Sequence, residues 1–419
     1  MRERPGILQN IDWITVLLYL ALALIGWINI YAAVYNEEFS SIFDFSQRYG
    51  KQLIWIFAAL FIALVIMIID ASFFITFAYL LYGISILSLI AVLAVGTEIA
   101  GSRSWFQFGG IAIQPAEFAK FATALALAKY LSSFNVSLKK IKVRIIASII
   151  IFLPALLVLL QNDTGSALVY GIFLLVLFRE GLTGNILLIG TMLVLLFIFT
   201  LLVDKLYVLG FLLLAALLLF YFMKRSRKNI VVLISLFILS TAFIYSVDYA
   251  FDNILEPHHK KRINVLLGKE LDLRGAGYNV HQSKIAIGSG GLTGKGFLNG
   301  TQTKYDFVPE QDTDFIFCTI GEEWGYLGSV LLIFLYMALL FRLIKLAERQ
   351  RSDFSRIYGY GVAAIIFFHF LVNIGMTIGL LPVIGIPLPF ISYGGSSLWA
   401  FTILLFIFIK QDANRLQLL

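Results

Sequence analysis

The sequence predicts an all-α polytopic membrane protein, and three observations predict it. Of 419 residues, 60% are hydrophobic and only 14% charged, with a mean hydropathy of +0.90, far outside the range of soluble domains. Apolar runs near the roughly 20 residues needed to cross a bilayer recur along the whole chain. The cations behind the net charge of +7 gather in short loops between these runs. They form no basic face interleaved with exposed aromatics, so a nucleic-acid partner is excluded.

The runs are Trp13 to Val34, Leu53 to Ile69, Phe73 to Val95, Pro115 to Leu131, Val143 to Leu160 and Thr164 to Phe178. Ile186 to Val203, Leu206 to Met223, Ile230 to Val247, Phe315 to Phe341, Tyr358 to Leu381 and Ser397 to Ile409 follow. About twelve spans result, in one integral membrane domain covering residues 1–419. The first run is of full span length with no small-residue cleavage pattern after it, so it is expected to remain a span. Placing Arg2 and Arg4 in the cytoplasm puts three basic clusters inside as well: Lys139 to Arg144, Lys224 to Lys228, and Arg342 to Arg356. Lys410 and Arg415 land there too, as the positive-inside rule expects. The outer face then carries Gly96 to Gln114, Gln161 to Asp163, a large loop over 248–314, and Leu381 to Ser396. The single cysteine, Cys318, lies in an apolar run and forms no intramolecular disulfide.

Chemistry concentrates on that outer side. Asp306, Glu310, Asp312 and Asp314 cluster and then give way within one residue to a long apolar run. The last of them is expected where water meets lipid, able to reach a head group whose tail lies in the bilayer. Helix capping is the structural alternative, but a cap needs only one such residue. Asn36 to Lys51 reads as a solvated connection with no assigned function. In the next outer loop, Arg103 offers a planar guanidinium to phosphate or carboxylate, and Trp105 is an interfacial aromatic. Glu117 and Lys120 share one helical face behind Pro115, and each ionised group in the bilayer costs about 2.5 to 3.5 kcal/mol. They either pair structurally or line a polar cavity with Asp163, which could itself end one helix and cap the next.

The stretch Gly277 to Gly296 supplies glycines with Gln282, Lys284 and Lys295. It fails as a nucleotide-binding P-loop, having Ser289 and Gly296 where that motif needs Gly and Ser/Thr. Its backbone N–H groups and lysines still suit an anion such as pyrophosphate. His258 and His259 are adjacent, a poor spacing for zinc. Three prolines between Leu381 and Ser397 imply a re-entrant or broken helix, tolerated only where protein or a water-filled cavity covers it.

These residues resemble the SEDS (shape, elongation, division and sporulation) family. The resemblance rests on Gln114 to Lys120, Asn162 to Gly165, Gln282 to Gly296, Gly300-Thr301-Gln302, Pro309-Glu310 with Thr313 to Phe317, Gly321-Glu322-Glu323, and Pro389 to Ser397. Continuous Gln282 to Gly291 favours the elongation branch over the division branch. The resemblance implies a bundle of ten core helices, so the extra pair is expected to be an inserted hairpin over 206–247. It implies a peptidoglycan glycosyltransferase that polymerises lipid II on the outer face of the bacterial cytoplasmic membrane, for elongation and rod shape. Asp314 matches the family's essential aspartate and is expected to be the general base. Arg103, Trp105, Glu117, Lys120, Asp163, Gln282, Lys284, Lys295, Asp306, Glu310 and Asp312 are expected to contact substrate. A divalent cation, Mg2+ or Mn2+, is the expected cofactor, with a class B penicillin-binding transpeptidase as partner. Asp312 departs from the histidine usual in the family. A lipid II flippase using Glu117, Lys120 and Asp163, or a non-catalytic scaffold for the transpeptidase, are the alternative functions.

Overall fold

The computed structural model describes residues 10–35, 41–99, 101–109, 111–253, 260, 264, 277–305 and 307–416. Arg2, Arg4, His258, His259 and Asp306 lie outside the described residues.

Four helices open the chain: α1 (Trp13–Val34), α2 (Arg48–Ile68), α3 (Ala71–Thr76) and α4 (Ala78–Val95). Where a loop was expected, three short strands follow: β1 (Thr97–Ile99), β2 (Ser102–Phe108) and β3 (Ile111–Ile113), paired antiparallel in that order. The alternation of Ser102, Ser104 and Phe106 with Arg103, Trp105 and Gln107 is strand-like. Gly101, at φ +83°, supplies the left-handed turn residue that a tight β1–β2 connection requires. Next come α5 (Pro115–Leu131), α6 (Ile141–Leu160), α7 (Thr164–Val169) and α8 (Phe173–Arg179).

Residues Thr183–Tyr278 form a separate compact unit. It contains α9 (Gly184–Leu202), α10 (Lys205–Phe222) and α11 (Arg227–Asn253). The expected hairpin over 206–247 therefore shares this unit with a third helix, and α11 runs on past Val247. Lys205 Nζ and Asp248 Oδ2, 2.7 Å apart, pair α10 with the end of α11. Within their apolar windows only 11%, 6% and 11% of residues are buried by protein. Helices apolar on every side with so little covered are suited to lipid contact.

The first unit resumes with α12 (Tyr278–Ser289), α13 (Thr301–Lys304), α14 (Ile316–Glu323), α15 (Gly325–Glu348), α16 (Asp353–Thr377) and α17 (Gly395–Ala413). The single span expected from Phe315 to Phe341 is two helices, because Gly325 takes φ +64° and the Leu292–Gly294 backbone fills the place where a side chain would stand. Among the described residues ten helices are long and apolar enough to cross a membrane, and Thr164–Arg179 is a shorter apolar stretch. The 17-residue α5 is short for a span but central: it packs on α4, α16 and α17. Its alanines at 116, 119, 122, 124, 126 and 128 are buried, and such small side chains let helices approach closely. In α16 and α17, 78% and 72% of the apolar window is covered by protein. The core sits here.

Between α16 and α17 the chain is non-helical. Its carbonyls are claimed by neighbouring helices. Asn373 Nδ2 donates to Ile386 O at 2.8 Å, His369 Nδ1 donates to Pro387 O at 3.0 Å, and the Tyr336 hydroxyl donates to Pro389 O. The expectation of protein cover at this stretch holds, although what it covers is irregular backbone and no broken helix.

At the far end of α15, about 36 Å from Gly325 by helical rise, ion pairs tie the helix ends together. Asp12 caps α1 through Thr15 N and takes both Arg342 Nε and Nη2. Asp412 takes Arg349 Nε at 2.8 Å and Gln350 Nε2 at 2.8 Å. Burial alone would raise the Asp12 carboxyl, but hydrogen bonds from Arg342 and Thr15 outweigh it and hold it at about 2.

Two predictions follow from the packing. A Cβ at Gly165 would lie 2.3 Å from Ile384 O, whereas one at Gly171 meets nothing within 4 Å. Gly165→Ala is expected to destabilise by about 1–3 kcal/mol and Gly171→Ala to change little, read as thermal midpoints in detergent. Because its folded value is depressed, Asp12 contributes stability that is present above the ordinary carboxylate range and lost as pH falls through about 2. The midpoint gap between wild type and Asp12→Asn should be open at pH 7, at about 1–2 kcal/mol after solvent screening, and should close towards pH 2.

Candidate active site

The acidic stretch folds as a turn rather than as the start of a span. Glu310 takes φ +59°, and its carbonyl receives both Thr313 N at 3.1 Å and Phe315 N at 3.0 Å. The Thr313 hydroxyl donates to Glu310 Oε2 at 2.8 Å. Behind the turn, Val308, Phe315 and Cys318 pack with Ala286 in a buried apolar cluster. Gln311, also buried, donates its amide to Ala33 O and Thr303 O.

Three successive carbonyls of the turn are then gripped from the α16–α17 side. Tyr393 N donates to Asp312 O at 2.8 Å, Ser392 Oγ to Thr313 O at 2.6 Å, and Asn373 Nδ2 to Asp314 O at 2.8 Å. Since the same Asn373 nitrogen holds Ile386 O, one buried amide locks the turn to the irregular segment. The Asp314 side chain is left partly exposed. Its Oδ2 lies by Gly385, where an added Cβ would come within 3.3 Å, so a side chain there would crowd the carboxylate.

Asp312 points elsewhere. It is 3% exposed, and both its oxygens accept from Arg48 Nη1, at 2.8 and 2.9 Å. Burial outweighs the guanidinium and pushes its carboxyl above the usual range. Glu310 is exposed at the rim.

Glu117 and Lys120 form a buried pair, Nζ to Oε1 at 2.7 Å with each side chain 2% exposed. Lys120 Nζ also donates to His369 Nε2 at 3.0 Å. With Nδ1 committed to Pro387 O, the neutral imidazole presents Nε2 as acceptor, which fixes its tautomer. Asp163 caps α7 through Ser166 N at 2.9 Å and receives Gln114 Nε2 at 2.7 Å. Gln114 N in turn donates to Ser396 Oγ at 3.0 Å. Three groups of the expected residues therefore meet one segment, 384–396.

The remaining expected residues lie apart from this convergence. Arg103 is exposed on β2, opposite Glu98, and Trp105 is half-buried opposite Thr97. Lys295 Nζ sits 2.7 Å from the fully buried Glu322, whose carboxylate also takes the Gln302 and Thr303 amides. That arrangement fixes the 295–303 loop. Lys284 is exposed beside the Gly379 turn, and Gln282 is half-buried on the same helix. Among the described residues no three His, Cys, Asp or Glu side chains converge as metal ligands.

Sequence reasoning passed over Arg48, His369 and Asn373. Arg48 sits in the connection that was assigned no function, and its partner is 264 residues away. His369 was findable, being an ionisable side chain inside an apolar run.

A polytopic helical membrane protein whose gripped acidic turn stands beside buried Lys, Glu and His is thereby defined. Comparison identifies it further: residues 12–210 and 186–416 match the FtsW, RodA and SpoVE description, "Cell cycle protein". The chain belongs to that family. Peptidoglycan glycosyltransferase RodA of Treponema pallidum is 34% identical, over 97% of this chain and 99% of its own. Peptidoglycan glycosyltransferase MrdB of Escherichia coli K12 is 38% identical, over 76% of this chain and 73% of its own. Among solved structures, a chain of a peptidoglycan synthase complex matches with a TM-score of 0.72 and 28% identity, covering 97% of this chain and 99% of that one. Thermus thermophilus RodA matches with a TM-score of 0.64 and 26% identity, covering 97% and 98%.

Asn373→Ala leaves two carbonyls in a poorly hydrated interior without a donor, at about 1–3 kcal/mol for such groups. Its thermal midpoint in detergent should fall accordingly. A midpoint equal to wild type would show that the lock is dispensable.

Proposed function

We propose that this chain is a peptidoglycan glycosyltransferase that polymerises lipid II at the outer face of the bacterial cytoplasmic membrane. The observation that carries the reading is the partly exposed Asp314 carboxylate on a turn whose backbone is held at three consecutive carbonyls. A general base works when its position is fixed before substrate arrives. Asp314 accepts the proton of the acceptor sugar's 4-hydroxyl while that oxygen bonds to the donor's anomeric carbon. The bond from that carbon to the pyrophosphate oxygen breaks, the polyprenyl pyrophosphate leaves with the electron pair, and configuration inverts to a β-1,4 link.

Family membership supports the chemistry, through relatives bearing the name peptidoglycan glycosyltransferase. The likeness to a chain of a peptidoglycan synthase complex supports a transpeptidase partner, a class B penicillin-binding protein. A Mg2+ or Mn2+ ion would be carried on the substrate's phosphates with one or two carboxylates. The flippase alternative asks Glu117 and Lys120 to serve a path, yet Lys120 is bonded to both Glu117 and His369 and the two side chains are each 2% exposed.

Purified protein supplied with lipid II is expected to give glycan polymer, and Asp314→Asn to lose at least about a hundredfold with an unchanged thermal midpoint. Full polymerisation by Asp314→Asn would overturn the assignment. A chelator arm, with Mg2+ or Mn2+ restored, reads the cation's part in the same assay.

A further inference from the structure

We infer that Arg48 is the residue that receives the donor's pyrophosphate beside Asp314, an inference that rests on the proposed glycosyltransferase reading. Leaving-group charge has to be met as it develops; Lys120 is bonded to Glu117 and His369 and Lys295 to Glu322 and Thr301, while Lys284 lies exposed on α12 beside the Gly379 turn. Arg48 is committed differently. One nitrogen, Nη1, serves both oxygens of Asp312, and the side chain is still 52% exposed while Asp312 is 4%. A buried carboxylate thus holds one nitrogen of a guanidinium that is otherwise half exposed, with the Glu310 carboxylate also acting on it.

The position suits the chemistry. Asp312 and Asp314 are two residues apart, at most about 7 Å of chain, in a turn whose carbonyls are all pinned. Arg48 also lies over the Tyr393 ring at 5.9 Å, next to the residue whose N–H holds Asp312 O. It opens the 21-residue helix α2, so the positive end of that helix adds to its own charge. A planar guanidinium pre-oriented by a carboxylate is the side chain that grips phosphate oxygens in pairs. The ligand class is a polyprenyl pyrophosphate, and Arg48 would contribute affinity for its phosphates and none for its hydrocarbon.

Binding of farnesyl pyrophosphate, farnesyl monophosphate and farnesol to the full-length protein in detergent, followed by tryptophan fluorescence, tests this without catalysis. Arg48→Gln is expected to weaken the pyrophosphate by about tenfold or more, the worth of a lost charged hydrogen-bonded pair, and to leave farnesol unchanged. Asp312→Asn breaks the same ion pair but keeps the guanidinium, so it should retain preference for pyrophosphate over farnesol. Equal losses in both variants would make the pair a structural strut and overturn the inference. So would wild-type affinity in Arg48→Gln, or displacement of the pyrophosphate by phosphatidylglycerol at equal concentration, which would mark a general lipid-phosphate site. If Arg48→Gln does not fold, Arg48→Lys, which keeps charge but loses the paired donors, is expected to weaken pyrophosphate more than monophosphate; equal weakening would overturn the inference. Wild type that makes glycan while Arg48→Gln binds normally sinks this inference alone; wild type that makes none sinks the glycosyltransferase reading.

Discussion

Carbonyl oxygens without a donor are costly wherever water is scarce, and this constraint organises the first unit. The chain between α16 and α17 cannot be helical through Pro382, Pro387 and Pro389, so its carbonyls need donors from outside. Tyr336 supplies one from α15, and His369 and Asn373 supply two from α16, the helix most covered by protein among the candidate spans. The irregular segment is then as fixed as a helix would be. It is also free to present backbone and hydroxyl groups sideways, which a helix is not.

The acidic turn uses that freedom. Ser392 Oγ, Tyr393 N and Asn373 Nδ2 each reach one carbonyl of residues 312–314, so the turn takes its geometry from a segment that is distant in sequence. Lys120 and Glu117 bear on the same frame from below, through His369 and Pro387 O. Buried ion pairs gain little net stability, and this one is better understood as holding His369 in the tautomer that donates to the segment. Expense in one place serves order in another.

Fold class was legible because apolar runs of span length leave few alternatives; every predicted run but Thr164 to Phe178 has an α-helix at its centre, and that one is broken at Tyr170–Ile172 into two short helices. Asp314 was legible because carboxylates crowd before an apolar run. The parts that escaped are long-range. Arg48 has no local signal, since an arginine in a polar connection is unremarked until its partner is seen, and Asn373 looks like any small polar residue in a helix. Strands β1 to β3 were hidden by glycines that read as loop. Lys295 was visible as a cation in a glycine-rich stretch, but its commitment to Glu322 depends on a helix 27 residues on.

Asp312, where the family resemblance led to the expectation of a histidine, shows how the effect of one side chain propagates. A histidine at this place would be content with a carbonyl or water, whereas an aspartate 3% exposed must find a cation or stay protonated. Its carboxyl is already pushed up by burial, so the guanidinium of Arg48 is what keeps the charged form tenable. The pairing in turn spends the Asp312 carboxylate on orienting Arg48, while Asp314 stays partly exposed and Glu310 exposed. The turn thereby sets two neighbouring aspartates in different environments, Asp312 buried and paired with Arg48 and Asp314 partly exposed.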